Sequence, residues 1–311
     1  PELITELDYG LDETTKLIYG KNPLTHIVNI SYKQNNIHIF RELPEGITET
    51  VIPYRFWVLS PNGNTHTKRL TGNTHYKYIR LYENEDEYKE YKSNIYKHKL
   101  YNINHVPEAF MVKNGLTYFK GMKREDVSVL SFDIETTGLN PLAKDAEVKL
   151  IANTYRKNGI RIEKLFRVDE FKNDKEMIKC WCDWVREMDP SILEGHNIYM
   201  FDLPYLNERS EDGLPIGRDR SVLTFDERPR EKRKDGSQSY TYHRPNVFGR
   251  EILDTFFLVI TADAQRKFES YALKPLVEAL GKTRDNRTFI DASKIKELWK
   301  SEDTRELICD Y

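Results

Sequence analysis

Apolar residues fall along this chain in two rhythms. Before about residue 125 they come in short bursts, with alternation in places: THIVNISY, NNIHIF, ETVIPYRFWVL and KYIRLY. Turn chemistry at Pro61-Asn62-Gly63-Asn64 and Thr71-Gly72-Asn73 separates them, so the bursts predict strands. A charged stretch from Glu83 to Lys99, with Tyr88, Tyr91 and Tyr96 interleaved, predicts a helix. From about residue 126 the pattern changes. VSVLSFDIETTGL, residues 127–139, opens with Val127, Val129, Leu130, Phe132 and Ile134, the composition of a buried strand. Val148 to Tyr155 and Ile160 to Val168 predict two more strands of a meander. Asn173 then caps a helix whose Met177, Trp181, Trp184, Val185 and Met188 share one face, and Asp189-Pro190 ends it. SILEGHN predicts a short strand and IYMFDLPYL the start of another helix. Strands, helix, strand, helix is an α/β order with a mixed sheet. The expectation is an α/β domain over residues 126–311, preceded by a smaller β-rich α+β domain over 1–125.

Composition narrows this picture without redrawing it. At 311 residues the chain is long enough for two domains, and no apolar run approaches a membrane span. It opens on Pro1 with no visible signal peptide, so the expectation is a trimmed terminus or a piece of a longer chain. A formal net charge of −2 argues against phosphate binding by the whole surface. Any nucleic-acid site is then a local basic feature. Cys180, Cys182 and Cys309 give neither a disulfide framework nor zinc spacing, and Cys180 and Cys182, two apart in a predicted helix, read as packing residues of a reducing compartment. Tyrosines among basic residues in the first domain can form a single-strand platform, or simply line a small core.

The chemistry begins with two acids inside the strand at 127–139. Asp133 and Glu135 lie two apart, so their side chains project to one face. Desolvating two adjacent like charges costs several kcal/mol unless a cation compensates. Hard oxygen ligands suit Mg²⁺ or Mn²⁺. The bland alternative is a polar turn, Thr136-Thr137-Gly138, with Asp133 as its cap. The whole string DIETTGL resembles the first motif of the DEDD superfamily of 3′–5′ exonucleases, including the proofreading domains of DNA polymerases. Asn197-x3-Phe201-Asp202, about 70 positions on, resembles the second. Asp202 is placed at a helix start, where the dipole favours a carboxylate. His196 has no role in the resemblance and reads as a structural histidine.

Further landmarks follow. Residues 218–250 are the most basic stretch, with Arg228, Arg230, Lys232, Arg233, Lys234 and Arg244. Asp235-Gly236 is a hairpin turn signal. The stretch looks like the hairpin of family B polymerase exonuclease domains, which helps hold primer and template apart; a solvated loop is the other reading. Gly249-Arg250-x3-Asp254 and Tyr271-Ala272-Leu273 resemble family B landmarks, with Asp254 structural or near substrate. More weakly, Leu17-Ile18-Tyr19-Gly20-Lys21 and Pro53-Tyr54-Arg55-Phe56 look similar to the domain preceding the exonuclease. The last motif of the subclass is Tyr-x3-Asp on a helix. If Asp310 is its acid, Glu306 stands in the tyrosine's place; otherwise Tyr311 is its tyrosine and the acid falls beyond.

The resemblance implies a ribonuclease H-like fold and a two-metal phosphodiester hydrolysis at a DNA 3′ end. Asp133 would bridge two Mg²⁺ or Mn²⁺ ions, Glu135 hold the ion binding the attacking water, and Asp202 hold the other. A fourth acid would complete the first ion's shell, with a tyrosine positioning the water. Substrate contacts fall to Thr136, Leu139, Asn197, Phe201, Arg233 and Lys234, with Phe201 and Leu139 against the terminal bases or, for Leu139, ordinary turn packing. The implied partners are single-stranded DNA or a primer–template 3′ end, and a polymerase domain in the same parent chain. The implied location is the cytoplasm, at the nucleoid in a bacterium. A stand-alone DEDD exonuclease on DNA or RNA, or a catalytically incomplete nucleic-acid-binding module, remains the alternative. No polymerase motif is present, so no nucleotide transfer is expected of these residues.

Overall fold

The computed structural model describes residues 22–70, 75–94, 100–233, 239–283, 290 and 294–310. They fall into two compact units, residues 1–123 and 124–311. Among the described residues, no helix is long and apolar enough to cross a membrane.

The first unit holds two small antiparallel sheets. β1 (Ile27–Lys33), β2 (Asn36–Leu43) and β3 (Gly46–Pro53) form one in sequence order. β4 (Phe56–Ser60), β5 (Lys68–Arg69) and β6 (Tyr78–Tyr82) form the other, with β6 central. The apolar run 49–59 thus divides between sheets at Tyr54-Arg55, just after Pro53, and the Tyr54 amide bonds to Asn35 O rather than extending the strand. α1 (Glu85–Asn94) and α2 (Val106–Asn114) complete the unit. Tyr88 stacks on Phe56 at 5.0 Å and Tyr82 contacts Tyr91 at 5.5 Å, inside a core with Tyr54, Trp57 and Phe110. These tyrosines are packing residues. Tyr88 and Tyr91 thus follow the small-core reading; Tyr96, Leu17 to Lys21 and the turn at 71–73 lie outside the described residues.

The second unit is built on a five-stranded mixed sheet. β7 (Val129–Thr136), β8 (Val148–Lys157) and β9 (Ile160–Arg167) make the antiparallel meander, α3 (Asp174–Met188) crosses over, and β10 (Ile192–Gly195) returns parallel to β7. α4 (Asp202–Arg209) follows, then the short pairs β11 (Thr224–Phe225) with β14 (Pro245–Asn246) and β12 (Arg230–Arg233) with β13 (Ser239–Tyr242). β15 (Glu251–Asp254) completes the order β15-β10-β7-β8-β9. α5 (Thr255–Ala262), α6 (Leu273–Ala279), α7 (Ile295–Leu298) and α8 (Glu302–Asp310) close the unit.

Period two decides what β7 buries. Leu130, Phe132 and Ile134 face the core, where Phe132 meets Trp181 of α3 at 5.3 Å. The Trp181 indole N–H donates to Asn153 of β8 at 2.9 Å, so the aromatic stripe of α3 is satisfied as well as packed. Asn173 caps α3 through the Glu176 amide at 3.0 Å, and Asp189 ends it in the left-handed region at φ 42°. β7 is therefore buried on one face only. Asp133 and Glu135 belong to the other face, which is why an otherwise apolar strand tolerates them.

Candidate active site

The open face of β7 floors a cleft of about 430 Å³. Asp133 and Glu135 lie there beside Leu150 and Ala152, their cross-strand partners on β8. The walls are His196, the segment Ala272–Pro275, and Ile308 and Cys309 of α8. Residues far apart in sequence thus meet over one strand end.

The β10 side of β7 explains the second acid. The parallel ladder stops at Glu194 opposite Ser131, two residues short of Asp133. Beyond it the Ile134 N–H donates to Asp202 Oδ1 at 3.2 Å, so a helix-start carboxylate takes the ladder's place. Gly195 permits this convergence: a Cβ there would fall 2.8 Å from Phe132 O and 2.3 Å from Ile198 Cγ2. The turn that follows is held from below by Asp254. Its carboxylate accepts from the amides of Asn197 at 2.8 Å, Tyr199 at 2.9 Å and Phe256 at 2.9 Å. Asp254 is a structural brace, capping α5 and fixing the bend that delivers Asp202.

Charge is strained here. Burial, then the Asp133 carboxylate, push Asp202 well above the usual carboxylate range, despite its place at a helix start. The desolvation and like-charge costs outweigh the dipole. Burial also raises Asp133, though the Ile134 amide and the charges of His196 and Lys274 pull it back. Glu135 is pushed up to about 7 by burial and by Asp133. Three hard-oxygen donors with surplus negative charge suit a divalent cation in donor chemistry. Their placement is less symmetrical than the expected trio. Asp133 opens to the cleft, whereas Asp202 is 2% exposed and turned to a backbone amide. Among the described residues, no three Asp, Glu, His or Cys side chains converge as a ready-made cation cluster.

The other sequence-derived residues scatter. Thr136 is corrected: it shares the core-facing parity of Ile134, is buried, and spends its hydroxyl on Gly138 O at 2.9 Å. Leu139 projects from the turn after β7 at 79% exposure. Phe201 is half-buried against Tyr205, ring centroids 5.4 Å apart. Asn197 adopts a left-handed φ of 70°, and its Oδ1 is buried without a hydrogen-bond partner. Arg233 ends β12 and Asp310 ends α8, with neither side chain among those described; Lys234, the turn at 235–236 and Tyr311 lie outside the described residues. Glu306, the tyrosine stand-in if Asp310 is the motif acid, pairs with Arg167 at 2.7 Å and does not line the cleft. His196 lines the cleft and is held through both ring nitrogens. Its Nδ1 meets Thr255 Oγ1 at 3.0 Å and its Nε2 meets Tyr271 O at 2.8 Å.

Pattern reasoning passed over the cleft walls. Lys274, Ile308 and Cys309 carry no motif of their own, although Lys274 directly follows the Tyr271-Ala272-Leu273 landmark. It also passed over the underside of the basic hairpin. Tyr240 and Tyr242 pack on Phe256 and Phe257 of α5 at 4.9 and 4.2 Å, so aromatics dock the described part of the hairpin.

Comparison with known proteins agrees with this architecture. A family model for the exonuclease domain of family B DNA polymerases matches residues 68–276. A DNA polymerase of Thermococcus litoralis is 28% identical over 220 residues, which is 66% of this chain and 12% of that protein. The DNA polymerase delta catalytic subunit of Drosophila melanogaster is 32% identical over 168 residues, 47% of this chain and 15% of that protein. The chain thus spans a small fraction of the length of these relatives. Among solved structures, the family B DNA polymerase of Pyrobaculum calidifontis superposes with a TM-score of 0.66 at 18% identity, covering 91% of this chain and 43% of that one.

Proposed function

This chain belongs to the exonuclease domain family of family B DNA polymerases, and from that premise we propose that it removes nucleotides from a DNA 3′ end as the proofreading portion of a longer polymerase. The observation that carries this reading is the pair Asp133 and Glu135 on the open face of β7, with Asp202 delivered behind them by the Asn197–Asp202 turn. Exonuclease domains of this family are generally divalent-metal dependent. Asp133, Glu135 and Asp202 are the residues that would hold Mg²⁺ or Mn²⁺, with a further acid from the last motif. Two such ions, when bound, supply an activated water and a stabilised leaving oxygen for in-line displacement at phosphorus.

The chain's own residues account for the rest of the reading. The Ile134 amide holds Asp202 in register with Asp133. His196, fixed through both ring nitrogens, keeps the wall rigid and is not the proton acceptor. Leu139 and Phe201 offer apolar surface to unstacked terminal bases. Arg233 and Lys234 of the hairpin steer the phosphate backbone.

The test is degradation of 3′-labelled single-stranded DNA with Mg²⁺ or Mn²⁺, beside Asp133→Ala, Glu135→Ala. Stepwise 3′ shortening is expected from the native sequence, and a loss of about a thousandfold or more from the double variant, since metal-held charge stabilisation is worth several kcal/mol. DNA bound but left intact, here and in a protein extended past Tyr311, would instead leave a nonhydrolytic binding module.

A further inference from the structure

One wall of the cleft is α8, which contributes Ile308 and Cys309. Among the described side chains of this helix Ile308 alone is fully buried, and Leu307 beside it is 46% exposed. One buried residue does not fix how a helix is turned about its axis. Two ionic ties do. Arg305 stands three and four residues before Ile308 and Cys309, on the face they share, and donates to Asp169 Oδ2 at 2.9 Å. Glu306, the next residue round the helix, accepts from Arg167 at 2.7 Å. Arg167 also donates to Asp169, at 3.2 and 3.4 Å, so the ties close into one network, Arg305–Asp169–Arg167–Glu306. An isolated exposed pair would hold little, but Asp169 takes two guanidiniums, and Arg167, Asp169 and Arg305 have side chains only 19, 26 and 23% exposed. The anchor is well placed. Arg167 ends β9 opposite Leu150, and Leu150 lies opposite Glu135, so network and acid occupy one cross-strand row.

We propose that Asp169 is a positioning residue of the 3′ exonuclease reaction: joined to Arg167 and Arg305, it holds α8 at the rotation and height that close the cleft beside Asp133 and Glu135. The inference rests on the exonuclease reading. Asp169 touches no substrate and acts through the helix. The last motif begins on α8 or at its end in either register, so the seat of this helix decides where that motif meets the cleft. Reacting groups held a fraction of an ångström out of place lose much of their rate, even when the change that moved them lies far from the chemistry. The rival role is narrower: the network merely adds stability to the fold. That role leaves the rate of the folded protein unchanged.

The experiment compares Asp169→Ala, Asp169→Glu and Arg305→Gln with the native sequence in the full 311-residue chain. Two readouts are taken. The first is kcat and KM on 3′-labelled single-stranded DNA at saturating Mg²⁺. The second is the rate at which iodoacetamide alkylates Cys309 in EDTA, followed by peptide mass spectrometry, with the buried Cys182 of α3 as internal reference. Asp169→Ala is expected to lower kcat by about 10²-fold, the scale of a misplacement of about 1 Å, with KM little changed. Cys309 should be alkylated faster than in the native sequence while Cys182 is not. Asp169→Glu should recover most of both effects. Arg305→Gln, which cuts one tie, should fall between, and it carries the test if Asp169→Ala does not fold. An unchanged kcat, an unchanged Cys309 rate, or a lost kcat with Cys182 exposed to the same degree overturns the proposal. Should the native sequence leave DNA intact, the exonuclease reading fails first. The alkylation rates then decide separately, and equal rates in all four proteins remove the hold on α8 too.

Discussion

Burial and the neighbouring Asp133 carboxylate push Glu135 from an ordinary 4.5 up to about 7. A carboxyl raised on folding contributes stability that is fully present below its unfolded value and lost as pH rises through its folded one. The metal-free protein therefore loses stability between about pH 4.5 and pH 7, by at most about 3 kcal/mol from this residue. Thermal midpoints in EDTA at pH 5 and pH 8 measure it. Glu135→Gln is expected to shrink the difference, with Asp133 and Asp202 keeping the remainder. Added Mg²⁺ should raise the midpoint more at pH 8, because binding requires deprotonated ligands. At this scale the acids were legible because each breaks the rule of its element: charge in an apolar strand, and charge at a buried helix start. Thr136 was misplaced because the DIETTGL string says nothing of parity, whereas the strand's period sends it to the core. Lys274 broke no rule, since a lysine near a helix start is ordinary in sequence.

Among the elements, the end of α3 carries the most concentrated polar packing. Arg250 and Arg218 both donate to Asp189 Oδ1, at 2.6 and 2.9 Å, and Arg250 also reaches Pro190 O and Ile216 O. Burial, then the Arg218 charge, pull Arg250 down to about 10. This knot ties the strand before α5 and the root of the basic hairpin to the far end of α3. Removing one partner of a buried ionic group costs about 3–5 kcal/mol. Arg250→Met is expected near the lower end of that range, because Asp189 retains Arg218; a urea midpoint reads the loss. α3 itself was legible from its spacing, being 15 residues long with a cap at each end. α2 was not. It buries Lys113 and Asn114 along with Ala109 and Phe110, so no clean apolar stripe marks it.

For the whole molecule, the change of rhythm near residue 125 lies close to the division into units at 123 and 124. The second unit has its own core, from Leu130 and Ile151 on the sheet to Trp181 on α3 and Ile308 on α8. Residues 124–311 expressed alone are therefore expected to unfold in one cooperative transition, followed by far-UV circular dichroism; a broad, non-cooperative melt would show that this core is not self-sufficient. The cleft walls were illegible at this scale for a physical reason. Ile308 comes to the same cleft as Leu150 and Ala152 of β8 only through the tertiary fold, and no local pattern encodes a meeting across more than 150 positions. The sheet ends at β9, whose Ile160 is 60% and Ile162 39% exposed along an outermost row. Such an edge is a template on which a second strand can be laid. Lys164 continues that row with charge, and Arg161 and Glu163 place charge on the strand's opposite face. Charge on such a strand opposes the addition of a further one, so replacing these three by apolar residues is expected to lower the concentration at which the protein precipitates.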